Sequence, residues 1–448
     1  MSDARLISYK FRALAILALV PALYFLGRHL YLDDALIYAR YVLHALEGRG
    51  LVFNVGQPVN ALTSILDTWL LLGLSFLLRG HILLAQLILS GSFLLGAALL
   101  AESVVPFAGI FIASTSLFYL CNGLETSLFL FLLLLCVRAY VTGRINWLPL
   151  LSALAVLTRF EAGALVLVIA WQLWRKRRLP ALNSFLPALL LVLLYFAFNL
   201  FFYRSLLPQS ASAKLGQGLS GYWGRWPTAF LQVPVYVYAP FGESWLNAIA
   251  LLALAWFGSK DPRSAIDNEV VPPFLFGLAA FYILFNIPGY HWYYAPFVFF
   301  LILYACRLLP QARSAWVAAS LVALCFAYGS ALYVHRASLK ATGWRDYAQA
   351  GQWLNSNAAH DASVATVETG TIGWYCDRQI IDIVGLTSPR NAHYTAEGDF
   401  SSWFAEHADY IVVHPGEPFP WERVALNSPD YERLPVSFGS VSLLRKKK

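Results

Sequence analysis

The sequence predicts an α-helical polytopic membrane protein that ends in a small α/β domain. Two observations carry this. Of the 448 residues, 59% are hydrophobic and only 13% are charged, whereas a water-soluble domain averages about 45–50% apolar and about 25% charged. The charges are also unevenly divided. Residues 1–335 hold 21 Lys+Arg and 12 Asp+Glu, a balance of +9, and residues 336–448 hold 11 and 13, a balance of −2. This composition excludes a soluble enzyme, a disordered chain and a fibrous one. Cys121, Cys136, Cys306 and Cys325 lie in apolar runs and Cys376 has no near neighbour of its kind, so a disulfide scaffold is excluded too. The net charge of +7 sits in short loops between apolar runs. That distribution suits loops held in the cytoplasm and argues against nucleic acid.

A helix crossing the hydrocarbon needs about 20 apolar residues. Runs free of Asp, Glu, Lys and Arg occur at 13–27, 80–101, 103–124, 126–137, 145–158, 162–174, 179–203, 244–259, 270–306 and 314–335, and 60–78 adds one broken only by Asp67. Gly27-Arg28-His29 after the first run is not a small-x-small cleavage site, so that helix is expected to be retained. Pro288-Gly289 divides 270–306 into two helices joined by Tyr290-His291-Trp292-Tyr293-Tyr294. Loops carrying Arg79, Arg138 with Arg144, and Arg175-Lys176-Arg177-Arg178 are expected on the cytoplasmic side. Residues 32–60, 204–243, 288–294 and everything after 335 then face outward. Either the run 103–124 re-enters or Arg138 and Arg144 lie outside; re-entry is expected, because it puts Glu125, Arg159 and Glu161 on the outer side. The result is a transmembrane module over 1–335 with about eleven spans, its amino terminus inside.

Residues 336–448 read as a separate outer domain. Asp346–Asn355 is expected as a helix. Ser363–Val367, Gln379–Val384, Ala408–Val413 and Ser440–Leu444 are expected as strands bracketed by Gly and Asp.

The module has so few acids that each is informative, because an ionisable residue at membrane depth is costly. Asp33-Asp34 follows the first helix, and Ala35, Tyr38, Tyr41, Val42 and Ala45 then recur at helical spacing. That pattern predicts an amphipathic helix along the outer interface, with both acids at its start. One Asp would serve as an N-cap. Two adjacent carboxylates point to a base, a metal ligand or both. A hard divalent cation could bind there without being required. No His/Cys cluster has zinc spacing, so no metal site is assigned.

The next stretch, Gly48-Arg49-Gly50-Leu51-Val52-Phe53-Asn54-Val55-Gly56, resembles the first outer loop of bacterial GT-C membrane glycosyltransferases. The nearest group is the terminal arabinofuranosyltransferases of mycobacterial cell walls and related pilin-modifying enzymes. Gly123-Leu124-Glu125-Thr126 and Leu157-Thr158-Arg159-Phe160-Glu161 resemble further motifs of that group, Phe160 standing where it has Pro. So do Leu206-Leu207-Pro208 through Lys214, Gly370 with Gly373-Trp374-Tyr375, and Ile381-Asp382-Ile383-Val384-Gly385-Leu386-Thr387. The resemblance implies a GT-C-like fold in a bacterial cytoplasmic membrane with its active site outside. It implies transfer of a sugar, arabinofuranose in the nearest group, from a polyprenyl-phosphate carrier to a glycan, a lipid or a surface protein such as pilin.

Such chemistry needs a carboxylate to deprotonate the acceptor and cations to meet the leaving phosphate. Asp33 is the first choice of base, with Asp34 orienting it. Lys214, Arg204, Arg159 and His291 are the candidates for the phosphate. Glu125 and Glu161 complete the polar set, and Tyr290 and Tyr293 offer hydroxyls and rings to the sugar or lipid. Plainer readings stand beside these. Arg159 and Glu161 would pair as structural glue with each other or Glu125, residues 290–294 would form an interfacial aromatic belt, and Lys214 would be a solvated loop charge. A secondary transporter is the rival without an internal repeat to support it. A lipid-linked oligosaccharide ligase or polymerase should carry a larger Arg-rich outer loop. A scaffold whose tail binds cell-wall polymer would tolerate Asp33→Asn and Asp34→Asn.

Overall fold

The computed structural model describes residues 3–28, 31–114, 122–232, 256, 268–307 and 345–447. Its apolar part contains α1 (Asp3–Leu26), α2 (Asp33–Leu46), α3 (Ile65–Leu77), α4 (Ile82–Val104), α5 (Ala108–Ser114) and α6 (Thr126–Val141). It continues with α7 (Leu148–Thr158), α8 (Gly163–Arg175), α9 (Leu186–Tyr203), α10 (Gln209–Leu219), α11 (Val271–Leu284) and α12 (Ala295–Cys306). Among the described residues three segments, Tyr9–Leu26, Ile82–Val104 and Leu182–Tyr203, are long and apolar enough to cross a membrane. Shorter apolar helices pack with them, an arrangement that a bundle tolerates where it encloses a polar cavity. Their outer faces expose Phe76, Leu167, Leu194, Phe201 and Phe276, as a hydrocarbon solvent requires. The break at Pro288-Gly289 is found, with His291–Tyr294 as a single 3-10 turn before α12. The runs 244–259 and 314–335 lie outside the described residues, Trp256 excepted.

Side-chain contacts sort the helix ends into two groups. Arg12 of α1 pairs with Glu102 near the end of α4 at 2.5 Å, and Tyr24 lies against Gly91, so α1 and α4 are antiparallel. Gln86, near the start of α4, donates to the Ala35 and Gly123 carbonyls. At the end of α6, Lys176 lies over the Tyr140 ring, Arg175 and Lys176 pair with Glu269, and Arg307 donates to Asn268. The loops carrying Arg138 with Arg144, Arg175–Arg178 and Arg307 thus gather at one end. At the other end Asn60 joins Asn199 and Gln209, Arg159 joins Glu125, and Tyr282 joins Glu161. Asp33-Asp34 lies there.

Two topological expectations are corrected here, for one reason. Composition places 60–78 as a span with Arg79 at the basic end. Instead α3 begins beside α2, where the Ser64 N–H donates to the Tyr38 hydroxyl. It delivers the chain to Leu83, whose carbonyl accepts from the Tyr31 hydroxyl. It enters and leaves at the Asp33 end, so Arg79 lies there too. A helix lying in an interface and a short one crossing it can share a composition, so hydropathy does not separate them. It follows that α4 starts at the Asp33 end and Glu102 lies at the other. Glu102 and Gly123, which the expected re-entry would place at one end, therefore lie at opposite ends, and residues 115–121 between them lie outside the described residues. Glu125, Arg159 and Glu161 lie at the Asp33 end, as expected.

The carboxyl-terminal domain begins, within the described residues, with α13 (345–357). It continues through β1 (Ser363–Thr366), α14 (Thr369–Tyr375), β2 (Gln379–Asp382), α15 (Pro389–Ala396), β3 (Tyr410–Val413), β4 (Tyr431–Phe438) and β5 (Val441–Lys446). The sheet order is β2-β1-β3-β5-β4. β1 pairs in parallel with β2 and β3, and β5 is antiparallel to β3 and β4. The expected helix and four strands are present with shorter or shifted ends. β4 escapes the sequence reading because Leu434-Pro435 interrupts its alternation, and the ladder shifts register there.

Candidate active site

Asp33 and Arg40, two turns apart on α2, tie the two domains together. The Asp33 carboxylate accepts the Gly370 N–H at 3.0 Å and the Thr371 N–H at 2.6 Å, both in the first turn of α14. A Cβ on Gly370 would overlap the Asp33 carbonyl oxygen, so only glycine permits this approach. Two turns later the buried Arg40 donates to four carbonyls: Phe53 at 2.8 Å, Cys376 at 2.9 Å, Arg378 at 2.6 Å, and Gly373. An acid thus meets the amide end of α14 and a cation its carbonyl end, the polarity that helix termini favour. Burial and the neighbouring Asp34 charge push the Asp33 carboxyl up to about 7, against the pull of the Thr371 and Gly370 bonds. Burial also lowers Arg40 to about 10. The glycine-rich stretch after α2 serves the same docking. Arg49 pairs with Asp377 at 3.0 Å, and the Asn54 side-chain amide exchanges two hydrogen bonds with the backbone of Ile380.

Asp34 is placed differently. Among the described residues no donor bonds its carboxylate, and its charge reaches Glu125 and Tyr290. The Tyr290 ring stacks on Trp292 with centroids 5.0 Å apart and donates its hydroxyl to Gln217 of α10 at 3.0 Å. Lys214, half-buried on α10, holds its Nζ 3.8 Å from the centre of that ring. Among the described residues no carboxylate lies within ion-pair distance of Lys214. Behind Tyr293, Arg159 is buried between Glu125 at 3.3 Å and Glu161 at 2.8 Å, and Tyr282 donates to Glu161 at 2.9 Å. The Arg159 guanidinium also lies 4.7 Å from the centre of the Tyr293 ring. A groove of about 180 Å³ runs between α10 and α11. Lys214, Glu161, Tyr282 and Tyr293 line its polar part, and the exposed Leu215, Phe281 and Phe285 its apolar part.

Comparison with solved structures finds ArnT from Cupriavidus metallidurans bound to undecaprenyl phosphate, at a TM-score of 0.61 and 13% identity over 96% of this chain and 97% of that one. The chain has the fold of that structure. The mycobacterial arabinofuranosyltransferase AftD aligns with 97% of this chain and 40% of its own, at 12% identity and a TM-score of 0.38. At that score the second likeness adds nothing to the first. Residues 335–443 match a family described as a domain of unknown function (DUF8728). A search of curated proteins finds no match.

Within this fold, Glu125, Arg159 and Glu161 form one cluster, and Tyr290, Tyr293 and Lys214 adjoin it. His291 is buried, edge-on to Trp292 at 4.7 Å. Arg204 stands apart, exposed at the left-handed end of α9 with φ 55°. The tail motif has a structural use. Asp382 is fully buried and accepts the N–H groups of Val384, Gly385 and Thr387 at 2.7–3.0 Å, and burial raises its carboxyl to about 6 against those bonds. The turn it shapes accepts Gln209 of α10 at the Gly385 carbonyl. Sequence reasoning misses Tyr282, Gln217 and Arg40. The first two stand in stretches with no charge pattern, but Arg40, a lone cation on an otherwise buried helix, is a usable signal. Among the described residues no three His, Cys, Asp or Glu side chains are grouped to hold a metal ion.

Proposed function

We propose that this protein is a GT-C glycosyltransferase of a bacterial cytoplasmic membrane, using a polyprenyl-phosphate sugar as donor. The observation that carries the reading is Lys214: a cation that among the described residues has no carboxylate partner, seated on aromatic rings where a polar site opens into an apolar groove. A phosphate on an isoprenoid chain needs both surfaces at once. Lys214 meets the phosphate as a point charge. Leu215, Phe281 and Phe285 receive the first isoprenoid units. Asp34, rather than Asp33, is the base, because both Asp33 oxygens are engaged by the carboxyl-terminal domain. Asp34 takes the proton of the acceptor hydroxyl as its oxygen bonds to the anomeric carbon. The bond from that carbon to the phosphate oxygen breaks, and its electron pair leaves with polyprenyl phosphate. Lys214 stabilises the charge that grows there. Arg159 with its two glutamates fixes the floor against which Tyr293 packs.

The end bearing Asp34 faces outward in this reading, supported by the gathering of basic loops at the other end. The resemblance of the motifs favours arabinofuranose as the sugar. A glycan, a lipid-linked intermediate or a surface protein would supply the acceptor hydroxyl. The test is transfer from synthetic polyprenyl-phosphate arabinofuranose by the purified protein. Asp34→Asn should lower the rate about 10²–10⁴-fold, the usual worth of a general base. Lys214→Ala should weaken donor binding about tenfold, the loss expected for one charge-assisted hydrogen bond. Normal turnover by Asp34→Asn would remove it as the base, and normal donor affinity of Lys214→Ala would remove the phosphate site.

A further inference from the structure

A second cavity, of about 280 Å³, lies at the basic end of the bundle, between the ends of α4 and α6 and the start of α7. Its walls are of two kinds. Leu100, Leu135 and Leu151 make one side apolar, while Arg138 and Arg144 line the other. Trp147, exposed at 61%, stands at its mouth, a position where Trp marks the boundary of hydrocarbon and water. Arg138 is half-buried, and Arg144 is exposed. Among the described residues neither guanidinium has a hydrogen bond or an ion pair. In the neighbouring basic loop, Arg175 and Lys176 both pair with Glu269.

We propose that this cavity binds the headgroup of an anionic phospholipid. Two guanidinium groups facing one space repel each other until an anion lies between them, and their planar forks match phosphate oxygens. Basic pockets between helix ends on the cytoplasmic side take such headgroups. The leucine wall gives the acyl chains a continuous apolar path to the bilayer, which a free phosphate would not use. A headgroup with its own ammonium would place a third cation beside the two arginines, so the site selects net negative charge. A lipid held here ties together α4, α6 and α7. The opposite ends of those helices carry Gln86, Glu125 and Arg159, so the site braces the floor of the cavity described above from the far side.

The experiment uses the full-length protein, delipidated in detergent, with phosphatidylglycerol, phosphatidylcholine or inorganic phosphate added. Native mass spectrometry counts bound lipid, and thermal unfolding follows stability. Phosphatidylglycerol should bind at a saturable site and raise the melting temperature, and the other two additions should not. Arg144→Gln, on an exposed residue, should weaken binding about tenfold, and Arg138→Gln with Arg144→Gln about tenfold more. Arg138→Lys should keep part of the affinity. Equal binding by wild type and double variant overturns the proposal. So does an equal effect of phosphatidylcholine, which would show no selection for charge, or of inorganic phosphate, which would make this a site for the free ion.

Discussion

Asp33 and Asp34 are neighbours in sequence with opposite surroundings, and the difference is measurable. Asp33 is held by two amides of the other domain, while Asp34 faces Tyr290 and Glu125. An aspartate in the unfolded chain titrates near 3.9, and burial with the Asp34 charge raises Asp33 to about 7. The folded state therefore binds this proton more tightly than the unfolded one. The stability that Asp33 contributes is fully present below about pH 4 and is lost as pH rises through about 7. Asp382, raised to about 6, acts in the same direction. Asp33→Asn should reduce the fall in melting temperature between about pH 4 and pH 7, leaving the smaller slope due to Asp382. Thermal unfolding of both proteins at a series of pH values checks this, and an unchanged slope would show that Asp33 does not set it. That these acids matter is legible in the sequence, because the module has so few. Which of them is free is not legible, because the Asp33 partners stand 337 and 338 residues away.

At the scale of elements, the pairing of α2 with α14 is the joint of the molecule. Arg40 satisfies carbonyls from both the first outer loop and the end of α14. Removing it takes a donor from four carbonyls, of which Cys376 keeps the Arg378 N–H, and each buried carbonyl left without a donor costs about 1–3 kcal/mol before relaxation. Arg40→Ala should therefore destabilise the protein by several kcal/mol, and Arg40→Lys should recover little, because one ammonium cannot span the same set of acceptors. Gly370→Ala should resemble Arg40→Ala, since its methyl group displaces the first turn of α14 from Asp33. In all three the transfer rate should fall through misplacement of Asp34, while Lys214-dependent donor binding is largely retained. Limited proteolysis between the domains, with separate measurement of kcat and donor KM, checks this. A rise in KM alone would place the joint on the donor side instead. The sequence shows that the Gly48–Gly56 stretch is unusual but not what it touches. Asn54 bonds with Ile380, and that pairing is invisible until the chain has folded.

For the whole molecule, the least legible property is the path of the chain between its two ends. Apolar runs reveal the helices, and Pro288-Gly289 reveals a break, because those are local properties. Whether a run crosses or lies flat depends on what its ends meet. The helix α3 has the length and composition of a short span, yet Tyr38 holds its start and Tyr31 holds the chain just beyond its end. Side-specific labelling turns this into a prediction. His81, exposed just after α3, lies at the end that bears Asp34, and Arg177, exposed after α8, lies at the other. The buried Cys136, Cys306 and Cys376 should react little with a membrane-impermeant maleimide, and Cys121 and Cys325 can be replaced by serine. In that background His81→Cys should be labelled in intact cells together with Ser205→Cys, whereas Arg177→Cys should react only after the membrane is opened. If His81→Cys instead follows Arg177→Cys, α3 crosses the bilayer. In that case Glu102 lies at the end that bears Asp34, and the Arg12–Glu102 pair cannot hold α1 against α4.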